Sequence, residues 1–280
     1  MTVDFHTHVF PDRIAEATVV RLGQKGGIPS YSDGTLLGLE SALAEAEVDL
    51  GINLPVLTRS AQYASVTEFA LGINRRAGVI SRETLEKADT PPTVVSFAGL
   101  HPDDDDPEGR IEELRSLGFL GIKLHPDYQG VFFDDGRYIR ILQAAKDAGM
   151  ITVTHAGFDV AFPGDEIRCT PIRVAKVLDK LGGYPKLVLA HMGGNRLLPE
   201  VLSTIAGEDV YLDTSYVLPH ITQSEFEKLL AKHGHRRILF ASDSPWSSIR
   251  QSKNILLGYK IGKTAEDRIL GQNALELLGI

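Results

Sequence analysis

The chain has 280 residues, of which 43% are hydrophobic and 24% are charged, and its formal net charge is −8. This length suits one domain with a large core, and the negative charge argues against nucleic acid and anionic membranes as partners. No apolar run is long enough to span a membrane, no signal-peptide pattern precedes the first strand, and Cys169 is the only cysteine. We therefore expect a cytoplasmic protein without disulfides that acts on a small molecule.

Taken in chain order, apolar and β-branched runs alternate with segments of helical periodicity. The predicted strands are residues 3–8, 51–57, 93–101, 119–126, 151–157, 186–194, 210–215 and 237–245. The predicted helices are residues 13–22 behind an Asp12 cap, 36–48, 62–77, 108–117, 137–148, 172–181, 197–205, 223–233, 248–257 and 265–278. Residues 24–34 are rich in Gly, Ser and Pro and predict a loop.

This alternation determines the expected fold class. Continuous apolar strands separated by helices predict βαβ units and a parallel sheet that is buried on both faces. Eight such units in 280 residues favour a closed (β/α)8 TIM barrel that forms a single domain over residues 1–280. The alternative is an open doubly wound sheet, but no Gly-x-Gly-x-x-Gly follows the first strand.

Histidines collect where the predicted strands end, and in an eight-stranded barrel those ends form the active site. Because successive side chains on a strand alternate in direction, His6 and His8 share a face and can bind one metal ion. Six of the nine histidines follow this pattern: His6, His8, His101, His125, His155 and His191. For His101, a contact at the rim of the site and a hydrogen bond that stabilises a loop are both open.

Asp243 ends the eighth predicted strand, which neighbours the first strand in a closed barrel. A carboxylate there can complete, with His6, His8 and His155, a nitrogen and oxygen set that binds zinc or a similar divalent ion and leaves a position for water. The sequence therefore predicts a site in which a metal activates water. The alternatives are an aspartate that caps the following helix and histidines that bond to loops.

Four strand-end motifs resemble one known family. They are His6-Thr7-His8, Thr154-His155-Ala156-Gly157, Ala190-His191-Met192-Gly193-Gly194 and Ser242-Asp243-Ser244-Pro245-Trp246. Together they resemble the amidohydrolase superfamily. The Gly-Gly after His191 and the Ser-Pro-Trp after Asp243 are more similar to its amidohydrolase 2 branch, which contains metal-dependent hydrolases and decarboxylases such as aminocarboxymuconate semialdehyde decarboxylase. The resemblance spans the whole chain.

The resemblance implies a set of metal ligands, namely His6, His8, His155 and Asp243. In mononuclear members the histidine that matches His191 stands beside the metal, whereas in binuclear members it binds a second ion. Lys123 lies where binuclear relatives, dihydroorotase among them, carry a carbamylated lysine that bridges two metals. We favour one ion over two, with zinc as the first choice and manganese or another divalent ion as alternatives.

Four further residues are predicted to contact the substrate. Lys123 and His125 share a strand face, so both can reach an anion or water, and the alternative for Lys123 is a salt bridge with a neighbouring carboxylate. Arg59 and Trp246 follow the ends of predicted strands two and eight, where a cation and an aromatic wall suit a small anionic substrate. The oligomeric state stays open, a homo-oligomer included.

The reaction expected from this site is hydrolysis of an amide, ester or lactone of a small organic acid. Asp243 would accept the proton of the attacking water and pass it to the leaving group, while His191 or the metal stabilises the developing oxyanion. The alternative is non-oxidative decarboxylation of an unsaturated or aromatic carboxylate, which release of carbon dioxide would distinguish. A third reading is a non-catalytic metal-binding barrel, although no expected ligand is missing.

Overall fold

The computed structural model describes residues 1–85 and 92–280. Within these ranges the strands are β1 Val3–Thr7, β2 Leu50–Asn53, β3 Thr93–Ser96, β4 Ala98–Gly99, β5 Gly121–Leu124, β6 Ile151–Thr154, β7 Leu187–Leu189, β8 Tyr211–Asp213 and β9 Ile238–Leu239. The helices are α1 Asp12–Gly26, α2 Leu36–Glu45, α3 Tyr63–Ala77, α4 Arg82–Leu85, α5 Pro107–Ser116, α6 Pro126–Gln129, α7 Gly136–Asp147, α8 Pro171–Leu181, α9 Leu198–Thr204, α10 Gln223–His233, α11 Ile249–Gly258, α12 Lys263–Asp267 and α13 Asn273–Leu278. This order confirms the predicted alternation of strands and helices.

The chain folds as two compact units, and the first consists of Met1–Asn53, Gly72–Ser96 and Asp213–Ile280. In it β1, β2 and β3 pair in that order and in parallel, with Val3 opposite Leu50. Along the other edge of β1, Phe5 N donates to Phe240 O at 3.0 Å and Asp243 N donates to His6 O at 2.9 Å. The segment that follows β9 therefore lies beside the end of β1, as the sequence predicts.

The second unit consists of Leu54–Leu71 and Phe97–Leu212. Its strands β4, β5, β6, β7 and β8 pair in chain order and are all parallel. Gly121 lies opposite Ile151, and Thr152 lies opposite Leu187. The carboxyl ends of β5, β6 and β7 therefore lie side by side within this unit.

The strands carry buried polar residues as well as the apolar core. Every residue of β1, β2, β5, β6 and β7 is buried, as a parallel sheet covered on both faces requires. Asp4, His6 and Lys123 nevertheless belong to these strands and are at most 1% exposed. Because a buried charged or polar group is costly without partners, these residues mark the places where the strands serve something other than packing.

Helix α8 shows why several predicted boundaries are close to the observed ones. Thr170 caps it by accepting from Arg173 N, Pro171 occupies its first position, and Gly182 ends it in the left-handed conformation. These signals are local in the sequence, so the predicted helix at 172–181 differs from α8 by one residue.

Other boundaries were predicted wrongly. Asp12 is the first residue of α1 and does not cap it, and α1 continues to Gly26, so the predicted loop begins only at Gly27. The predicted strand 93–101 is two strands, β3 and β4, separated at Phe97. The predicted closing helix at 265–278 begins earlier, at Lys263, and a π-helical turn at Arg268–Gln272 separates α12 from α13. No helix in the described ranges combines the length and apolar character that crossing a bilayer needs.

Candidate active site

His6 and His8 lie at the end of β1 with both side chains on one face, as strand alternation requires. Their Nε2 atoms are 3.2 Å apart. The side chain of His6 is buried and that of His8 is 13% exposed. His8 N donates to Ser244 O at 2.7 Å, so the backbone of the pair is tied to the segment that follows β9.

Asp243 brings a carboxylate to the same two histidines. Its Oδ1 lies 3.2 Å from His8 Nε2 and 3.4 Å from His6 Nε2. Its backbone has φ of 73°, in the left-handed region that aspartate tolerates better than most residues. This local turn places the Asp243 side chain beside β1, while the backbone N–H of Asp243 still donates to His6 O.

These three atoms match the spacing of ligands around one small divalent ion. They form a triangle with sides of 3.2, 3.2 and 3.4 Å. In a tetrahedral zinc site with bonds of about 2.1 Å, two ligands are about 3.4 Å apart. Two imidazole nitrogens and a carboxylate oxygen are donors that zinc and similar divalent ions accept. His6, His8 and Asp243 therefore fit a metal ion, and all three belong to the first unit.

Asp213 orients His6 and was not predicted from the sequence. His6 Nδ1 lies 2.9 Å from Asp213 Oδ2, and the other oxygen of Asp213 accepts from Ser215 N at 3.0 Å and from the Ser215 hydroxyl. A carboxylate at Nδ1 holds the ring proton there and leaves the Nε2 lone pair for a metal. The available signal was the place of Asp213 near the end of predicted strand seven, residues 210–215.

Asp4 connects the backbones of β1 and of the segment after β9. Its Oδ1 accepts from His6 N at 3.2 Å and from Ser242 N at 2.9 Å. Burial raises the pKa of Asp4 to about 7, and the hydrogen bonds from Ser242 and His6 oppose this rise. Asp4 thus fixes the strand ends that carry His6 and Asp243.

A second group of histidines lies at the strand ends of the second unit. His155 follows β6 and His191 follows β7, and His155 Nδ1 lies 2.9 Å from His191 Nε2. The ring of His125, which follows β5, stacks on that of His155 with centroids 4.3 Å apart. Asp159 adds a carboxylate, with its Oδ2 at 3.5 Å from His125 Nε2. Three of the four predicted strand-end histidines of this unit, His125, His155 and His191, therefore do come together.

His125, His155 and Asp159 also have the spacing of a candidate metal group. His125 Nδ1, however, accepts the backbone N–H of Tyr128 at 3.4 Å as the cap of α6. A neutral imidazole that accepts at Nδ1 carries its proton at Nε2, the nitrogen that faces Asp159. This bonding favours His125 as a hydrogen-bond donor towards Asp159, and its contact with substrate stays a prediction.

Asp127 is a further buried carboxyl group that the sequence did not single out. Its Oδ2 lies 3.7 Å from His155 Nε2. Burial and the negative charge of Asp159 raise the pKa of Asp127 to about 6. The hydrogen bonds from Arg168 and its positive charge lower this pKa and so offset part of the rise. In the sequence Asp127 stands two residues beyond the strand-end His125, and this position was the available signal.

The remaining predicted site residues have different surroundings. Lys123 lies in β5 and is 1% exposed. Arg59 is exposed. Trp246 is partly exposed, and its backbone N–H donates to Asp243 O at 2.8 Å. His101 Nδ1 accepts from Asp103 N at 3.1 Å, so of the two alternatives for His101 the loop-stabilising hydrogen bond is present.

The sequence profile of a protein family described as amidohydrolase matches residues 3–280. A comparison with curated proteins found no match.

Solved structures with similar folds cover almost the whole chain. An uncharacterised TIM-barrel protein from Bordetella bronchiseptica has a TM-score of 0.69 at 16% identity, covering 99% of this chain and 98% of that one. A protein assigned as 2-pyrone-4,6-dicarboxylic acid hydrolase from Pseudomonas putida has a TM-score of 0.65 at 16% identity, covering 99% and 97%. A dihydroxybenzoic acid decarboxylase from Polaromonas sp. JS666, with bound manganese and the inhibitor 2-nitroresorcinol, has a TM-score of 0.65 at 16% identity, covering 99% and 96%. At such identities the similarity establishes the fold, and it confirms the predicted (β/α)8 class. The single domain over residues 1–280 stays a prediction.

Proposed function

Because this chain belongs to the amidohydrolase family, whose members are metal-dependent hydrolases or decarboxylases, we propose that it is a hydrolase of an amide, ester or lactone of a small organic acid. The observation that carries the proposal is the convergence of His6 Nε2, His8 Nε2 and Asp243 Oδ1 within 3.4 Å of one another. A divalent ion bound by these residues, zinc before manganese, supplies Lewis-acid activation of water and substrate.

The chain's own residues hold and move protons around this position. Asp213 keeps the His6 proton at Nδ1, so that Nε2 stays a ligand. The carboxylate of Asp243 is the proton carrier of the proposal, accepting from water and donating to the leaving group. The side chain of Asp243 is 12% exposed, so a small substrate can reach it while most bulk water is kept away.

Five assignments stay predictions. The family resemblance gives His155 a place among the metal ligands and His191 a role in orienting water or substrate. Positions on or after the strand ends give Lys123, His125 and Trp246 contacts with the substrate. The exposure of Arg59 is compatible with recruitment of an anion. We favour one ion over two because the triangle of His6, His8 and Asp243 supplies three ligands without Lys123.

A small, planar carboxylate is the substrate class that we propose. Two structural neighbours bear names that refer to ring carboxylic acids, 2-pyrone-4,6-dicarboxylic acid and dihydroxybenzoic acid. The second of these is a decarboxylase with bound manganese, which makes non-oxidative decarboxylation the second candidate function.

Product analysis separates the two reactions. The zinc-loaded and manganese-loaded protein would be incubated with 2-pyrone-4,6-dicarboxylate, simple aryl lactones and dihydroxybenzoates, and both ring-opened acid and carbon dioxide would be measured. We expect ring-opened acid without carbon dioxide, and none in the Asp243→Asn variant. Stoichiometric release of carbon dioxide would overturn hydrolysis in favour of decarboxylation. A metal-loaded protein that turns over no member of the panel would favour the non-catalytic reading.

A further inference from the structure

Arg196 and Phe158 form a stacked pair on two loops of the second unit. The Cζ atom of Arg196 lies over the Phe158 ring, 4.4 Å from its centroid. Phe158 stands three residues after His155, which follows β6, and Arg196 stands five residues after His191, which follows β7. The pair therefore places a cation on the loops that leave the two strand ends where these histidines meet.

Backbone hydrogen bonds hold the two loops of this pair together. Asn195 O accepts from Phe158 N at 2.9 Å, and Asn195 Nδ2 donates to Phe158 O at 2.8 Å. Leu197 N donates to Gly194 O at 2.9 Å and closes a turn that contains Arg196. Arg196 has φ of 61°, in the left-handed region that a residue with a Cβ adopts only at a cost. The turn and the bonds of Asn195 thus keep Arg196 and Phe158 within reach of each other.

The surroundings of Arg196 differ from those of two other arginines in this unit that also stack on an aromatic ring. Arg110 pairs with Glu113 at 3.1 Å, and Arg173 pairs with Asp134 at 2.6 Å. Arg196 is exposed, and within residues 1–85 and 92–280 its side chain forms no ion pair and donates no hydrogen bond. The ring therefore holds a guanidinium group whose N–H donors have no acceptor in the described part of the chain.

The carboxylates closest in sequence to the stacked pair are directed to other groups. Asp159 Oδ1 accepts from Ala161 N at 2.7 Å, and Asp159 Oδ2 lies 3.5 Å from His125 Nε2. Glu200 Oε1 accepts from Ile172 N at 3.0 Å. An arginine that no carboxylate of its own chain neutralises can pair with a carboxylate of a ligand.

We propose that Arg196, held on Phe158, binds a carboxylate group of the substrate. A guanidinium group presents five N–H donors in a planar fork that fits both oxygens of a carboxylate. Because the ring already restricts the arginine side chain, less free energy is lost in ordering it when the ligand binds. The chain has a net charge of −8, so an anion needs such a local positive position. The inference rests on the proposed function for the identity of the ligand, a small planar carboxylate.

The Arg196→Gln variant tests this assignment, because glutamine stays polar but lacks the charge and the fork. The probe is isophthalate, a planar dicarboxylate without a lactone, ester or amide bond, so that binding is measured without hydrolysis. The zinc-loaded wild type and variant would be titrated calorimetrically at low and at high salt. At low salt we expect Arg196→Gln to bind isophthalate about 10-fold more weakly than the wild type. We also expect its affinity to depend less on salt, because one ion pair is lost.

Arg110→Gln is the matched control, because Arg110 also stacks on a ring but pairs with Glu113. We expect it to bind isophthalate as the wild type does. Wild-type affinity in Arg196→Gln, an equal loss in Arg110→Gln, or a loss in Arg196→Gln with an unchanged salt dependence would overturn the proposal. A wild type that does not bind isophthalate would overturn it as well.

The titration also separates this inference from the proposed reaction. A chain that binds isophthalate through Arg196 but yields no ring-opened acid from the lactones keeps the anion site and loses the hydrolase assignment. A chain that opens the lactones while Arg196→Gln binds isophthalate like the wild type keeps the hydrolase assignment and loses the anion site.

Discussion

The two ring nitrogens of His6 have different partners, and this difference defines the candidate metal position. Nδ1 lies against Asp213, whereas Nε2 lies beside His8 Nε2 and Asp243 Oδ1. The His-x-His pattern predicted that His6 and His8 share a face, because strand alternation is a local property. Asp213 was missed because nothing in its own neighbourhood distinguishes it from an aspartate that caps a turn.

Replacing Asp213 by asparagine should weaken metal binding without unfolding the protein. Ser215 N–H needs an acceptor, so the amide oxygen of asparagine stays with Ser215 and its NH2 group faces His6 Nδ1. An amide nitrogen cannot accept from Nδ1–H, so the ring proton is free to move to Nε2 and block the ligand position. We expect zinc affinity to fall about 10–100-fold, measured by competition with a coloured chelator. Asp209→Asn, the same change of chemistry at an exposed residue four positions earlier in the chain, should leave the affinity unchanged, and equal affinities in all three proteins would contradict this role.

Asp243→Asn should remove the proton carrier and leave the fold nearly intact. Its backbone bonds to His6 and Trp246 do not depend on the charge of the side chain. We expect turnover to fall about 10²–10⁴-fold, with a thermal unfolding midpoint close to that of the wild type. Turnover at the wild-type rate in a metal-loaded variant would refute the assigned role.

At the scale of secondary structure, two loops hold His155 and His191 together. Gly157 and Asn195 form a parallel bridge, in which Asn195 N donates to Ala156 O at 3.0 Å and Phe158 N donates to Asn195 O at 2.9 Å. Gly157 has φ of 87°, and a Cβ there would lie 2.1 Å from Asn195 N. Only glycine allows this close approach of two backbones.

Gly157→Ala should therefore be strongly destabilising. The added methyl group meets backbone atoms on the opposite loop and also requires an unfavourable φ, so the loops must separate. We expect the free energy of unfolding to drop by about 2–4 kcal/mol, measured by urea titration. Gly164→Ala is the matched control, since a Cβ at Gly164 meets nothing within 4 Å. A Gly157→Ala protein as stable as this control would show that the loops need no such contact.

At the scale of the whole chain, the sequence predicts the fold class better than the connections within the site. Buried parallel strands are continuous apolar runs and their helices carry local caps, so their order is readable without coordinates. The break at Phe97 and the carboxylates Asp127 and Asp213 depend on neighbours that are distant in sequence, and local pattern does not encode them. The left-handed backbone of Asp243 and His191, with φ of 73° and 56°, is likewise imposed by tertiary contacts.

The central claim is that His6, His8 and Asp243 hold one divalent ion, and metal stoichiometry tests it most directly. Wild-type protein and the His8→Ala variant would be stripped, reconstituted with zinc, freed of excess ion and measured by elemental analysis. His8 is the best variant because its side chain is the most exposed of the three and its loss should perturb the fold least. We expect about one zinc per wild-type chain and almost none in His8→Ala. A wild-type chain that stays metal-free, or a variant that retains its full complement, would contradict the account.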